Sequence, residues 1–164
     1  MDKASSQQAF VQLIARHQKL IHSLCSLYYP LPEDRKDLFQ EIVLQLWKSY
    51  PSFSYQSKES TWLYRVAINT VFLRIRREKV RPRSEPLSDD ALRIPEQEPD
   101  DATQELYRAI AQLADVDKAL IMLYLEEHSQ EEMAGMLGLS RTNISTKLNR
   151  IKNRLSQLLK TERV

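Results

Sequence analysis

SQEEMAGMLGLSRTNISTKLNRIKNRL, residues 129–155, reads as two helices joined by a tight turn. Ser129 and Glu132 stand in capping-box spacing: the serine oxygen can accept from a free backbone N–H, and the glutamate can reach back. Met133, Ala134 and Leu137 give the first helix its apolar side. Gly138 follows, where the chain needs a left-handed residue and a Cβ would be strained. Leu139 plugs the turn, and Ser140 is placed to cap the next helix. There Ile144, Leu148, Ile151, Leu155 and Leu158 recur at alternating steps of four and three, which aligns them in one stripe. The opposite side carries Thr142, Ser145, Thr146, Asn149 and Asn153, flanked by Arg141, Lys147, Arg150, Lys152 and Arg154. A helix packed on one side, polar on the other and edged with cations suits a DNA major groove. The same polar residues would also suit a plain solvated face; the flanking arginines favour DNA.

The rest of the chain is read outward from this pair. Only two glycines occur among 164 residues, whereas strands joined by tight turns usually need more. With long helix-period segments elsewhere, this predicts an all-α fold. A hydrophobic content of 42% is enough to bury a core. The net charge of +2 hides strong segregation. Arg74, Arg76, Arg77, Lys79, Arg81 and Arg83 form one basic run, and the chain from Arg141 onward is basic again. Between them lie Glu85, Asp89, Asp90, Glu96, Glu98, Asp100, Asp101 and Glu105, interrupted by Arg93. Two basic blocks around an acidic spacer point to two polyanion-binding modules. The single cysteine, Cys25, excludes a disulfide framework. The first residues, MDKASSQQAF, lack the apolar core of a signal peptide, and no apolar run reaches membrane-spanning length. A soluble cytoplasmic protein is expected.

Helix periodicity starts near Ser5, with Ser5 or Ser6 as the expected cap, and runs through Phe10, Leu13, Ile14, His17, Leu20, Ile21, Leu24 and Leu27 to the stop at Pro30 and Pro32. A second helix, about 32–50, buries Leu38, Ile42, Val43, Leu46 and Trp47 and turns Asp37, Gln40, Glu41, Gln45 and Lys48 outward; Pro51 ends it. Residues 52–60, SFSYQSKES, form a polar loop, and Thr61 opens a third helix that turns steadily basic towards Arg81–Pro82. Residues 82–101 hold four prolines, many acids and few large apolar groups, so they form a flexible linker. Beyond it, 102–113 is amphipathic through Leu106, Ile110 and Leu113, and Asp115 or Asp117 caps a further helix from Lys118 to about 127. The domains are therefore 1–81, a linker 82–101, and 102–164, the last a four-helix domain containing the helix-turn-helix.

Three blocks in this order, DLFQEIVLQLW (37–47), WLYRVAIN (62–69) and the helix-turn-helix, resemble the bacterial sigma-70 family, and specifically its short extracytoplasmic-function (ECF) sigma factors. The resemblance covers both helical halves. It implies a transcription initiation factor that directs core RNA polymerase to promoters. By resemblance, Asp37, Gln40 and Glu41 match the surface that holds core polymerase. The loop with Tyr55 and Lys58, together with Arg65, Asn69, Arg74, Arg76 and Arg77, matches the element that opens and reads minus-ten DNA. Arg141, Thr142, Asn143, Ser145, Thr146, Lys147, Asn149 and Arg150 match the recognition helix for the minus-thirty-five element. An anti-sigma partner is implied too. Leu113-Ala114 departs from the family's usual Leu-Pro, and Ser145 and Lys147 replace its usual lysine and arginine.

Trp47 and Trp62 resemble base-stacking aromatics, but their helical positions favour packing; Tyr55, in the loop, is placed to stack on a flipped base. Asp37 and Glu41 lack a companion His or Lys for acid–base work. His17, His22 and Cys25 are poorly spaced for a shared metal, and His128 stands isolated before a cap. No phosphate loop or nucleophile–base pair occurs, so neither enzymatic activity nor a cofactor nor a metal is expected. The competing reading is a helix-turn-helix regulator that binds DNA as a dimer without polymerase.

Overall fold

The computed structural model describes residues 3–54, 58–80 and 101–162. Most of the expected linker, as well as Tyr55, lies outside the described residues. Those described form seven α-helices and one 3-10 turn, with no strand. The chain divides into two compact units, Met1–Leu92 and Arg93–Val164.

The first unit contains α1 (Lys3–Tyr28), α2 (Pro32–Ser49), the 3-10 turn Tyr50–Ser52 and α3 (Glu59–Val80). Helix α2 packs on both α1 and α3, and α1 also meets α3. Their apolar stripes converge on Leu13, Ile21, Leu24, Leu38, Ile42, Leu46, Leu63, Ala67, Ile68 and Val71, all buried, with Tyr64 among them. Each such aliphatic side chain contributes roughly 1.5–3 kcal/mol relative to exposure. Thr70 is the buried polar residue of the set, and its hydroxyl is satisfied by donating to the Val66 carbonyl at 2.8 Å. Cys25 is buried too, and that burial pushes its thiol up to about 11.

An aromatic cluster closes one end of this unit. The Phe10 ring lies 5.0 Å from Trp47 and 5.4 Å from Tyr50, and Trp62 lies 6.3 Å from Tyr50 and 4.7 Å from Phe53. Both tryptophans therefore pack rather than stand free, although Trp47 keeps 38% of its surface exposed. The turn between α1 and α2 is held by Arg35. Its Nε donates to the Tyr29 carbonyl at 2.9 Å and its Nη2 to the Pro30 carbonyl, so a cation of α2 serves the carbonyl-rich end of α1.

The second unit contains α4 (Asp101–Ala111), α5 (Asp115–Leu125), α6 (Gln130–Leu137) and α7 (Arg141–Glu162). Helix α7 packs against all of the other three. Its stripe Ile144, Leu148, Ile151 and Leu155 is buried, and it meets Ile110, Leu120, Leu123, Met133 and Met136 in the shared core.

Several helix ends differ from expectation. Ser5 and Ser6 lie inside the first turn of α1, which begins at Lys3, so neither is its cap. Pro51 does not simply stop α2; it sits in the 3-10 turn, where proline's fixed φ is tolerated. Helix α3 begins at Glu59, two residues before Thr61. Helix α5 is preceded by Ala114 in extended conformation with no side-chain cap, and Asp115 and Asp117 lie in its first turn, where their charges suit the helix dipole. On α6 the second buried residue is Met136, while Leu137 is half-buried.

Candidate polymerase and nucleic-acid interfaces

In α6 and α7 the local chemistry works largely as the residue types require. Ser129 precedes α6 in extended conformation and accepts from the Glu132 N–H at 3.1 Å. The Glu132 carboxylate lies 3.2 Å from the Ser129 hydroxyl and 3.2 Å from the His128 ring. His128 is therefore not isolated: it stands between Glu132 and Glu126, the latter 3.7 Å away. Burial pushes the Glu126 carboxyl up, against the opposing pull of His128. Gly138 closes α6 at φ 68°, donating to the Ala134 carbonyl at 2.9 Å. Ser140 then accepts from the Asn143 N–H at 3.1 Å and starts α7.

That start fixes what α7 presents. With Ile144 and Leu148 buried, Arg141, Thr142, Asn143, Thr146, Asn149 and Arg150 are exposed, whereas Ser145 and Lys147 are half-buried at the edges of the stripe. The Thr146 hydroxyl donates back to the Thr142 carbonyl at 3.0 Å. Arg141, Lys147, Arg150 and Arg154 have no partner among the described residues, while Lys152 lies 4.2 Å over the Tyr124 ring. Short polar side chains between unpaired cations can address base edges and phosphates together.

Helix α3 resolves the basic run into separate directions. At about 100° per residue, Arg65, Asn69 and Arg76 fall on one stripe, and all three are exposed. Lys79, a member of the same basic run, shares that stripe and is exposed. Arg74 points the other way. Its side chain is only 13% exposed, with Nε 3.1 Å from Glu78, Nη2 4.0 Å from Asp34 and Nη1 4.0 Å from Glu41. Its guanidinium also lies 5.0 Å from the centre of the Tyr29 ring, whose hydroxyl donates to Glu78 at 3.0 Å. Burial and this Glu78 bond push the Tyr29 phenol well above its ordinary value. For Arg74, burial favours the neutral form, but Glu78 and the surrounding anionic groups outweigh it and raise the pKa. Arg77 takes a third direction, donating through Nη2 to both Glu41 oxygens at 3.1 and 3.2 Å.

On α2, Asp37 and Gln40 are exposed and share a face with Glu41 at helical spacing. Beside them Phe10, Phe39, Val43, Leu44 and Trp47 line an open apolar groove of about 350 Å³. Asp37 and Gln40 thus stand clear at the surface, while Glu41 turns to α3 and pairs with Arg77 and Arg74. Of the loop residues, Lys58 is exposed. The loop joins α3 at Glu59, where Arg16 of α1 donates to both carboxylate oxygens at 3.0 and 3.1 Å and the His17 ring lies 3.3 Å away. Burial would raise the Glu59 carboxyl, but the bonds to His17 and Arg16 outweigh it and hold it below its ordinary value. His22 stacks on Phe39 with centroids 4.4 Å apart. Among the described residues no three His, Cys, Asp or Glu side chains gather as metal ligands, and no helix is long and apolar enough to cross a membrane.

The two units correspond to two family matches. Sigma-70 region 2 matches residues 13–81, and Sigma-70, region 4 matches residues 103–155. The ECF RNA polymerase sigma factor SigM of Mycobacterium tuberculosis (strain ATCC 25618 / H37Rv) is 31% identical over 95% of this chain and 80% of its own length. The chain belongs to the ECF RNA polymerase sigma factors. It is a transcription initiation factor that directs RNA polymerase to promoters. The ECF RNA polymerase sigma-E factor of Escherichia coli (strain K12) is 30% identical over 94% of this sigma factor and 90% of the relative. Two solved structures share its fold. One is the sigma factor RpoE in complex with the anti-sigma factor NepR from Bartonella quintana, with a TM-score of 0.71, 20% identity and coverage of 93% and 98% of the two chains. The other is CnrH in complex with the cytosolic domain of CnrY, with a TM-score of 0.68, 24% identity and coverage of 94% and 90%.

Proposed function

We propose that the two units divide the work of promoter recognition. The N-terminal unit binds core polymerase through Asp37, Gln40 and Glu41 of α2, with the apolar groove beside them excluding water from the contact. The same unit takes minus-ten DNA along Arg65, Asn69 and Arg76 of α3, with Lys79 extending the stripe and Lys58 and Tyr55 contributed by the loop. Arg74 serves this face from behind by holding α3 to α2. The C-terminal unit reads minus-thirty-five DNA through the exposed side of α7: Arg141, Thr142, Asn143, Thr146, Asn149 and Arg150, with Ser145 and Lys147 at the margins.

One observation carries the reading: region 2 matches the unit that holds the α2 and α3 faces, and region 4 matches the unit that holds the helix-turn-helix. No residue is assigned a catalytic role, and the factor acts in the cytoplasm, where core polymerase works. An anti-sigma protein holds it inactive, by analogy with RpoE, which was solved in complex with the anti-sigma factor NepR.

The test is co-elution with bacterial core polymerase. Asp37→Lys combined with Glu41→Lys abolishes co-elution while the C-terminal unit keeps its unfolding transition. Undiminished co-elution removes α2 as the polymerase surface, and tight sequence-specific DNA binding by a dimer without polymerase supports a classical regulator instead.

A further inference from the structure

The Glu41 carboxylate lies at a crossing of two surfaces. It sits with Asp37 and Gln40 on the face assigned to polymerase, yet it receives Arg77 at 3.1 and 3.2 Å and stands 4.0 Å from Arg74. Arg77 is 63% exposed on its side chain and Glu41 37%, so both remain reachable from solvent. By contrast Arg65, Arg76 and Lys79 have no partner among the described residues. Of the exposed cations at the basic end of α3, Arg77 is thus neutralised by a carboxylate of another helix, whereas Arg76 and Lys79 are not.

We infer that the Glu41–Arg77 pair is an autoinhibitory latch: in the free chain Glu41 withholds Arg77 from DNA, and a polymerase cation that takes Glu41 releases Arg77 to a phosphate. The inference rests on the assignment of Glu41 to the polymerase surface. Its chemistry is an exchange of ion-pair partners in which one carboxylate and one guanidinium each leave a mutual contact for a new counter-charge. An exposed pair of this kind is weak, so the exchange is easily reversed, and the latch tunes DNA affinity rather than switching it off. Arg74 does not take part in the release, because Glu78, Asp34 and the Tyr29 ring keep it in place when Glu41 leaves.

The experiment uses the full chain and a fluorescent DNA duplex of arbitrary sequence, with affinity measured over a salt series. Glu41→Gln tightens binding up to about fivefold. It also steepens the dependence of log K on log[salt] by roughly 0.9, the signature of one added phosphate contact. Glu33→Gln, which removes the same charge from the exposed first turn of α2, controls for net charge and gives a smaller gain with no added slope. In an Arg77→Gln background the Glu41→Gln gain disappears. A gain no larger than that of Glu33→Gln, or one that persists without Arg77, overturns the latch. Core affinity of Glu41→Gln is read in parallel and is expected to fall. If it is unchanged while the DNA effect appears, Glu41 is not a polymerase contact, and the exchange fails together with that assignment. If core affinity falls but the DNA slope does not move, the assignment stands and the latch is wrong.

Discussion

Helices α3 and α7 both carry dense cations, and each is fixed to its unit by different forces. Helix α7 is anchored by an apolar stripe, Ile144, Leu148, Ile151 and Leu155, and its arginines have no carboxylate partner among the described residues. Helix α3 is anchored by an apolar front half, but its basic back half is tied by charge: Arg74 to Glu78, Asp34 and Glu41, and Arg77 to Glu41. Apolar anchoring leaves the arginines of α7 available, with Lys152 held over the Tyr124 ring, and is insensitive to screening by salt. Charge anchoring uses up part of the cation supply of α3 and makes its geometry responsive to any counter-charge that approaches α2. The first arrangement suits a rigid reader of duplex DNA, the second a surface that must respond to polymerase.

The contrast breaks most sharply in the core. Leu148→Ala removes a buried anchor of α7 and costs about 2–5 kcal/mol. Both tryptophans, Trp47 and Trp62, belong to the N-terminal unit, so fluorescence reports that unit while far-ultraviolet circular dichroism reports both. The urea midpoint by dichroism is expected to split and fall for the C-terminal part, with the fluorescence midpoint unmoved. A shift of the fluorescence midpoint would show that the units unfold together.

Arg74→Met tests the charge anchor. It leaves Glu78, Asp34 and Glu41 without their common cation and costs about 2 kcal/mol, seen in the fluorescence transition. No change would mean that the apolar front half alone positions α3. Gly138→Ala is smaller, about 1 kcal/mol, in the C-terminal transition. An added Cβ would meet nothing within 4 Å, so the cost is that of φ 68° alone, and Gly138→Asn should recover part of it. The smallest effect is at Glu59. Its folded pKa is lowered, so its contribution to stability is present above the unfolded carboxylate value, about 4.3, and is lost as pH falls through the folded value. The difference between wild type and Glu59→Gln in fluorescence midpoint should be constant at neutral pH and shrink on acidification below that value.

These contrasts also mark what the sequence could reveal. The α6–α7 pair was legible because its determinants are local. Ser129, Gly138 and Ser140 act on backbone groups within a turn of themselves, and the α7 stripe follows from helical period. The anchoring of α3 was not, because Arg77 meets a carboxylate 36 residues away and Glu59 meets an arginine 43 away. Charge runs do not announce which cations are paired across helices. One part was within reach: Arg74 and Glu78 stand at i,i+4 spacing, and helical phase separates Arg74 and Arg77 from the Arg65–Asn69–Arg76 stripe. Helices α1 and α5 start at Lys3 and Asp115, at or ahead of the expected caps, because a good capping residue does not compel the helix to begin after it. The partners of His128 are hidden from a linear reading because Glu126 and Glu132 are brought together by the turn at Glu127, which adopts φ 65°.

This two-unit chain directs core polymerase to promoters. Purified bacterial core polymerase, supplied with genomic DNA and nucleotides, should begin RNA chains at a discrete set of positions only when the full chain is added, with 5′ ends mapped by sequencing. Discrete starts that depend on the wild-type chain and vanish with Asp37→Lys/Glu41→Lys are the predicted result. The same scattered starts with and without the chain would mean that it does not direct polymerase to promoters.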